Sequence, residues 1–344
     1  MRIDFSVGTG RNEAIYEVAA LARTAEESGF SHITFVDQQN ISRDVYAMMA
    51  VAAVSTRRIK IGHGVTVPLI RHPSVTANAT ATVDELSGGR VFLGIGIGGN
   101  ALRSMGVKQP PIKEFKEEVE FIKRYMAGQE AEFKGAKMHS EWVRRPVPVY
   151  IASSHGVRSC QLAGEIGDGV IILDTHPEIV KWRLELIEKG AIKSGRDLSK
   201  IDMWVRTEIF IANSKEEARH EAASYAASAA RNRYWYLQKK TPEAAQLGEL
   251  MERVEPGLID EFKRIYDNWD EYQHEKTDAS HARLATQRVI DFFHFTGRPE
   301  NICDRIHELG KLGVNNISTT VFTVVDKKGM MREIGDKIMP HFRN

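Results

Sequence analysis

The stretch Arg58-Ile59-Lys60-Ile61-Gly62-His63-Gly64-Val65-Thr66-Val67-Pro68 decides the fold. β-Branched residues alternate up to Ile61 as in a strand, two glycines interrupt the run, and Val-Thr-Val resumes before a proline. Glycines inside a strand predict a bulge, or a place where something approaches the backbone closely. Downstream, a helical run over 74–86 leads through the turn Ser87-Gly88-Gly89-Arg90 to a second strand, which ends in Gly94-Ile95-Gly96-Ile97-Gly98-Gly99. If these two strands lie side by side and parallel, their glycines form a flat floor without side chains. A planar cofactor ring needs such a floor.

Working outward, strands are predicted over 2–7, 31–36, 59–67, 91–97, 147–152, 169–173, 203–211 and 316–321, each followed by helical sequence. Regular strand–helix alternation argues for a parallel sheet, and eight units argue for closure into a (β/α)8 TIM barrel, read as one domain over 1–344. One region breaks the rhythm. From about 225 to 295 the chain is polar, aromatic-rich and helical, with Tyr234-Trp235-Tyr236, Trp269 and Tyr272. It reads as a helical insertion between strands 7 and 8, serving as a lid or substrate wall, or equally as a dimerisation or packing elaboration.

Composition narrows the class. The net charge of +1 favours neither nucleic acid nor a polyanionic surface. Two cysteines, Cys160 and Cys303, stand far apart, which excludes a zinc ribbon or redox pair and fits a reduced cytoplasm. No apolar run approaches the ~18 residues that span a bilayer.

In a barrel the strand C-termini carry function. Here they present Asp37, Gln38 and Gln39 after strand two, then His63 and the Gly64-Val65-Thr66 bulge after strand three. Gly98, Gly99 and Asn100 follow strand four. After strand five, Ser153-Ser154-His155-Gly156-Val157-Arg158-Ser159 leads straight into a helix, combining small residues, hydroxyls and an arginine at a helix N-terminus. That is a phosphate-site pattern; ordinary capping by Ser153 or Ser154 is the alternative. Asp37 is equally readable as the cap of the helix near Arg43, and His63 and His72 as packed core histidines. His294, just after the insertion, is a candidate for proton handling together with Asp37, Gln38 and His63. No His/Cys/Asp/Glu group has metal-ligand spacing. Gly94, Gly96 and Gly99 also match the dinucleotide GxGxxG, but at the fourth strand and with little helix behind them.

Together these residues resemble the bacterial luciferase-like superfamily of flavin and deazaflavin oxidoreductases, and within it the branch that includes methylenetetrahydromethanopterin reductase. The matching stretches include Ser42-Arg43-Asp44-Val45-Tyr46, Ile61 to Pro68, Arg71-His72-Pro73, and Asp84-Glu85-Leu86-Ser87-Gly88-Gly89-Arg90. They continue through Leu93-Gly94-Ile95-Gly96, Leu162-Ala163-Gly164-Glu165 with Asp168-Gly169-Val170, and Gly297-Arg298-Pro299-Glu300. The resemblance implies a barrel that binds coenzyme F420 or FMN at the strand C-termini, with F420 favoured by the reductase-like pattern. It implies a bulge at Gly64-Val65, often with a non-prolyl cis peptide, backing the isoalloxazine ring, and a ribityl phosphate on the loop 153–158. A homodimer is implied as well, and a partner flavin reductase if the cofactor is FMN. Relatives that use F420 commonly carry Asp-His at the end of strand two, where this chain has Asp37-Gln38-Gln39. Members of the family also often carry an aspartate in the glycine loop, near the position of Gly99 and Asn100 here. The expected activity is hydride transfer to or from a small organic substrate; the alternatives are an FMN monooxygenase and a barrel that binds cofactor without catalysis.

Overall fold

The computed structural model describes residues 2–11, 13–153, 156–270, 273, 279–322 and 324–343. Eight parallel strands close into a barrel: β1 (Asp4–Thr9), β2 (His32–Phe35), β3 (Lys60–His63), β4 (Val91–Gly96), β5 (Val149–Ser153), β6 (Gly169–Ile172), β7 (Asp202–Arg206) and β8 (Asn316–Thr320). Each pairs with its sequence neighbours, and β8 returns to β1 with Asp4 opposite Asn316. The alternation read in the sequence is therefore a closed TIM barrel, and the dinucleotide-fold reading of Gly94, Gly96 and Gly99 is set aside.

The helices of the first half are α1 (Ile15–Glu27), α2 (Val45–Ser55), α3 (Pro73–Leu86), α4 (Asn100–Ser104) and α5 (Ile112–Met126). Then come α6 (Val157–Ile166), α7 (Pro177–Lys193), α8 (Lys215–Leu237), α9 (Pro242–Val254) and α10 (Leu258–Asp267). The last three are α11 (Gln287–Phe293), α12 (Pro299–Lys311) and α13 (Lys327–Lys337). Asp44, and not Asp37, caps α2 by accepting from the Ala47 N–H at 3.0 Å. His72 is exposed and caps α3 ahead of Pro73, its Nδ1 accepting from the Ser74 N–H at 3.2 Å, so it is no core histidine.

Strand alternation sorts the core into two layers. Outward residues such as Phe5, Val7, Ile33, Phe35, Leu93 and Ile151 pack beneath the helices. Inward residues plug the barrel: His32, Phe92, Tyr150 and Trp204 form edge-on and tilted ring pairs with centroids 4.6–5.3 Å apart. Gly62 is glycine because a Cβ there would collide with the Phe92 ring. Ala152 and Val65 pack against the plug and form its upper surface.

Two strand boundaries differ from expectation. β3 ends at His63, because the chain turns into the bulge before Thr66 bridges to Ile95. The strand expected over 203–211 ends at Arg206; beyond it the Ile209 N–H bonds the Thr319 hydroxyl, and Ile209–Ile211 leaves the barrel to pair with Phe295–Gly297. The helices between β7 and β8 begin at Lys215 and bury a core of their own, including Ala222, Leu247, Phe262, Phe292 and Phe293. No helix among the described residues is long and apolar enough to cross a membrane.

Candidate active site

The bulge after β3 is anchored on both sides. The Gly64 N–H bonds the Phe35 carbonyl at 2.8 Å, the Thr66 N–H bonds Gly94 O at 2.9 Å, and the Gly96 N–H bonds Thr66 O at 3.0 Å. Between these anchors the Gly64–Val65 peptide is cis. A Cβ on Gly94 would collide with the His63 carbonyl oxygen and stand 3.1 Å from Val65 Cγ1; one on Gly96 would stand 3.4 Å from Val65 Cγ2. The expected bare-backbone floor is thus corrected. The β4 glycines accommodate the bulge, and its half-buried Val65, level with Ala152, forms the shelf that faces the barrel mouth. Gly94→Ala should therefore displace the bulge at a cost of about 1–3 kcal/mol, measured as a lower urea midpoint.

Asp37 is buried beside this shelf and is held by three partners. Its Oδ2 accepts from the Thr66 hydroxyl at 2.6 Å and from Arg71 Nη1 at 2.6 Å, and its Oδ1 accepts from Arg71 Nη2 at 3.1 Å and Gln39 Nε2 at 3.0 Å. Such a bidentate pair fixes Thr66, and with it the bulge. Gln38 is half-buried, its backbone tied to Ser42, with no hydrogen bond from its amide among the described residues. His63 lies beneath the bulge, fully buried and edge-on to Tyr46 at 5.1 Å, and among the described residues neither ring nitrogen has a hydrogen-bond partner. Burial pulls its pKa down to about 4 against the charge of Asp37, so it is neutral.

The start of α6 differs from the caps of α2 and α3. Its N-cap is Gly156, and among the described residues no side chain caps its first turn. Ser153 does not cap; its hydroxyl pairs with Ser159 at 2.8 Å and Cys160 Sγ at 3.1 Å. Ser154 and His155 lie outside the described residues. Behind this turn Asp174 binds two buried arginines, Arg183 Nε at 2.5 Å and Arg233 Nη2 at 2.6 Å, and Arg183 Nη1 lies 3.5 Å from Cys160 Sγ. Two buried guanidiniums thus lie behind the start of α6, where the macrodipole already favours an anion. In front, Arg158 reaches Glu243 at 3.3 Å, and the Tyr236 hydroxyl lies 4.0 Å from where a Gly156 Cβ would stand. The neighbouring Trp235 is flanked by Lys239 at 4.1 Å and Arg103 of α4 at 5.5 Å. Gly98 and Gly99 lead into α4, which begins at Asn100; a Cβ on Gly99 would meet nothing within 4 Å.

The structure separates His294 from the Asp37 group. His294 lies across the barrel, below the β7 side of the mouth, where its Nδ1 accepts from the Glu208 N–H at 3.3 Å and burial lowers its pKa to about 3. Its buried neighbour Glu208 is a group that sequence reading passed over. It sits two residues past the end of β7, inside what reads as one continuous strand, and only the early end of β7 brings it to the mouth.

A closed parallel barrel with a bulge after its third strand and a helix running directly from its fifth places the site at the strand C-termini of a TIM barrel. The profile of the luciferase-like monooxygenase family matches residues 1–316, and the chain belongs to that family. It is 30% identical over 337 residues to a 5,10-methylenetetrahydromethanopterin reductase from Archaeoglobus fulgidus, covering 95% of this chain and 96% of the relative. The coenzyme F420-dependent tetrahydromethanopterin reductase from Methanopyrus kandleri superposes with a TM-score of 0.80 at 25% identity, over 99% of this chain and 100% of the other. The oxygenating constituent of 3,6-diketocamphane monooxygenase from Pseudomonas putida, solved with FMN, superposes with a TM-score of 0.65 at 16% identity over 99% of each chain, a likeness of fold. This chain is accordingly an enzyme of the luciferase-like oxidoreductase kind.

Proposed function

We propose that this enzyme uses coenzyme F420 to transfer a hydride to or from a small organic substrate. The observation that carries the reading is the pairing of an apolar shelf, Val65 and Ala152, with the start of α6, backed by two buried arginines. A planar ring with an anionic tail fits that pair: Gly64, Val65 and Thr66 would back the ring, with Gly98, Gly99 and Asn100 along its edge. Ser153, Gly156, Val157 and Arg158 would hold the phosphate. The bound cofactor supplies the hydride chemistry. The protein holds the ring, with Asp37 acting by position through Thr66 and Arg71, and neutral His63 filling the space beneath. Full-length likeness to a reductase described as F420-dependent supports F420 over FMN.

The second reading, an FMN monooxygenase fed by a flavin reductase, is favoured by the fold shared with the FMN-bound oxygenating constituent. Absorbance titration of the protein with oxidised F420 and, separately, oxidised FMN tests both. Tight binding of F420 alone is expected; tight binding of FMN alone would move the enzyme to the monooxygenase reading, and binding of neither would sink the cofactor site.

A homodimer is part of the proposal. Tyr16, Val54, Val75 and Leu86 stand exposed on the adjacent helices α1, α2 and α3, an apolar face of the kind that a second copy covers. Two buried free cysteines suit the reducing cytoplasm.

A further inference from the structure

We propose that Glu208 is the proton-carrying group of the barrel mouth, giving its proton to the heteroatom of a C=O or C=N group as hydride reaches the adjacent carbon. This rests on the hydride-transfer reading above.

Short side chains line the inner wall from the bulge to Glu208. A Cβ on Gly64 would stand 2.7 Å from Thr34 Oγ1, and one on Gly8 3.1 Å from Thr34 Oγ1 and 2.9 Å from Thr320 Cγ2. Going round from the bulge after β3 through β2, β1 and β8, the neighbouring inward positions are Gly64, Thr34, Gly8 and Thr320, ahead of Arg206 and Glu208 on the β7 side. Glu208 is 5% exposed and fixed from three directions. Its Oε2 accepts from the Thr320 N–H at 2.9 Å and the Thr320 hydroxyl at 2.6 Å, its N–H donates to His294 Nδ1, and its carbonyl accepts from the Phe295 N–H at 3.0 Å. Oε1 has no hydrogen bond among the described residues; Arg206 Nη2 lies 3.7 Å away, beyond hydrogen-bond reach. One oxygen is therefore saturated as an acceptor, and the other, at ion-pair distance from Arg206 but without a hydrogen bond among the described residues, is the one that can carry a proton.

The charged and titratable groups facing the carboxyl are Arg206 from β7 and the neutral His294; β8 presents Thr320. Burial raises the pKa of Glu208, with Arg206 and the Thr320 bonds pulling the other way. A carboxyl held this way keeps its proton to a higher pH than an exposed one, as a general acid requires. The step balances. The reduced cofactor gives two electrons as hydride to carbon, Glu208 gives H⁺ to oxygen or nitrogen, and its carboxylate regains a proton from water. In the oxidising direction Glu208 accepts that proton.

The test uses the full-length protein, reduced F420 and a small cyclic imine, 1-pyrroline, as a hydride-accepting probe, with Glu208→Gln, which keeps the shape and the Thr320 bonds. We expect the wild-type rate to fall as pH rises through the Glu208 titration, and the variant rate to be pH-flat and lower by about 10²–10⁴-fold, the usual size of a general-acid contribution. F420 affinity should be unchanged. A ¹³C-carboxyl NMR titration without cofactor should show Glu208 titrating above the ordinary range alongside the buried Glu118, with the Glu208 signal alone absent in the variant. If Glu208→Gln does not fold, Thr320→Val keeps the carboxyl and should move that midpoint upward. A flat wild-type profile, an equal variant rate, or an ordinary Glu208 titration overturns the proposal. Failure of the wild type to bind F420 overturns the cofactor reading, a separate result.

Discussion

Asp174→Asn is expected to lower the stability of the protein by about 3–5 kcal/mol, the cost of breaking a buried ion pair from one side. Asp174, Arg183 and Arg233 are each no more than 2% exposed, and the carboxylate is bonded by both guanidiniums, at 2.5 and 2.6 Å. Burial alone would raise the Asp174 pKa, yet the two arginines draw it down to about 2. A carboxylate with a depressed folded pKa stabilises above its unfolded value near 4, and that contribution is lost as pH falls toward 2. Asparagine preserves the shape and removes the charge, leaving two guanidiniums facing each other with no anion between them. Urea unfolding at pH 7 measures the loss. The exposed pair Arg158–Glu243 serves as the control, and Glu243→Gln should cost at most about 1 kcal/mol. A loss below 1 kcal/mol for Asp174→Asn would mean that water reaches the arginines, and the positive backing of α6 would be weaker than proposed.

The barrel was legible because its signals are periodic. Strand-like runs followed by helical sequence recur eight times, and each repeat supports the same count. The boundaries that went astray share one cause: a side chain or bulge took over from the ladder. His63 to Thr66 reads as one strand with Val67, but the cis bulge leaves only a single bridge at Thr66. Residues 203–211 read as one strand until the Thr319 hydroxyl takes the Ile209 N–H.

The site was legible in outline and opaque in its energetics. Glycine at 94 and 96 signals close approach in any sequence; what approaches, the His63 carbonyl and Val65 instead of a ligand, depends on where a neighbouring strand places them. Asp37 looked like a free proton donor or a cap because Arg71, its partner, is 34 residues away. The arginines behind α6 come from α7 and α8, and Glu208 gains its setting from β8 and from His294, 86 residues on. No spacing rule reaches that far. Local pattern reports local backbone; charge pairing and burial are properties of the closed barrel.

Burial also dictates the second large effect: between pH 6.5 and 4 the protein should lose stability well before its carboxylates protonate. His32, His63 and His294 are at most 6% exposed, and among the described residues His32 and His63 each bury a ring nitrogen with no hydrogen-bond partner. Burial lowers all three pKa values, to about 4 for His63 and about 3 for His294, with Lys60 adding to the effect at His32. Below pH 6.5 the unfolded chain binds protons that the folded chain refuses, so stability falls as pH falls, until the folded pKa is reached. At pH 4 this amounts to roughly 3 kcal/mol each for His63 and His294, at about 1.4 kcal/mol per unit of pKa difference. That sum is a large part of the ~5–15 kcal/mol that holds a domain together. Urea midpoints at pH 7, 5.5 and 4 should fall steeply for the wild type and less steeply for His63→Phe. The variant keeps a ring against Tyr46 and gives up no hydrogen bond, so its pH 7 stability should stay within about 1 kcal/mol. An unchanged slope in His63→Phe would show that the folded protein accepts a proton at this position. His63 would then carry a positive charge beneath the bulge, beside Arg71, and the shelf formed by Val65 would rest on a cation instead of a neutral ring.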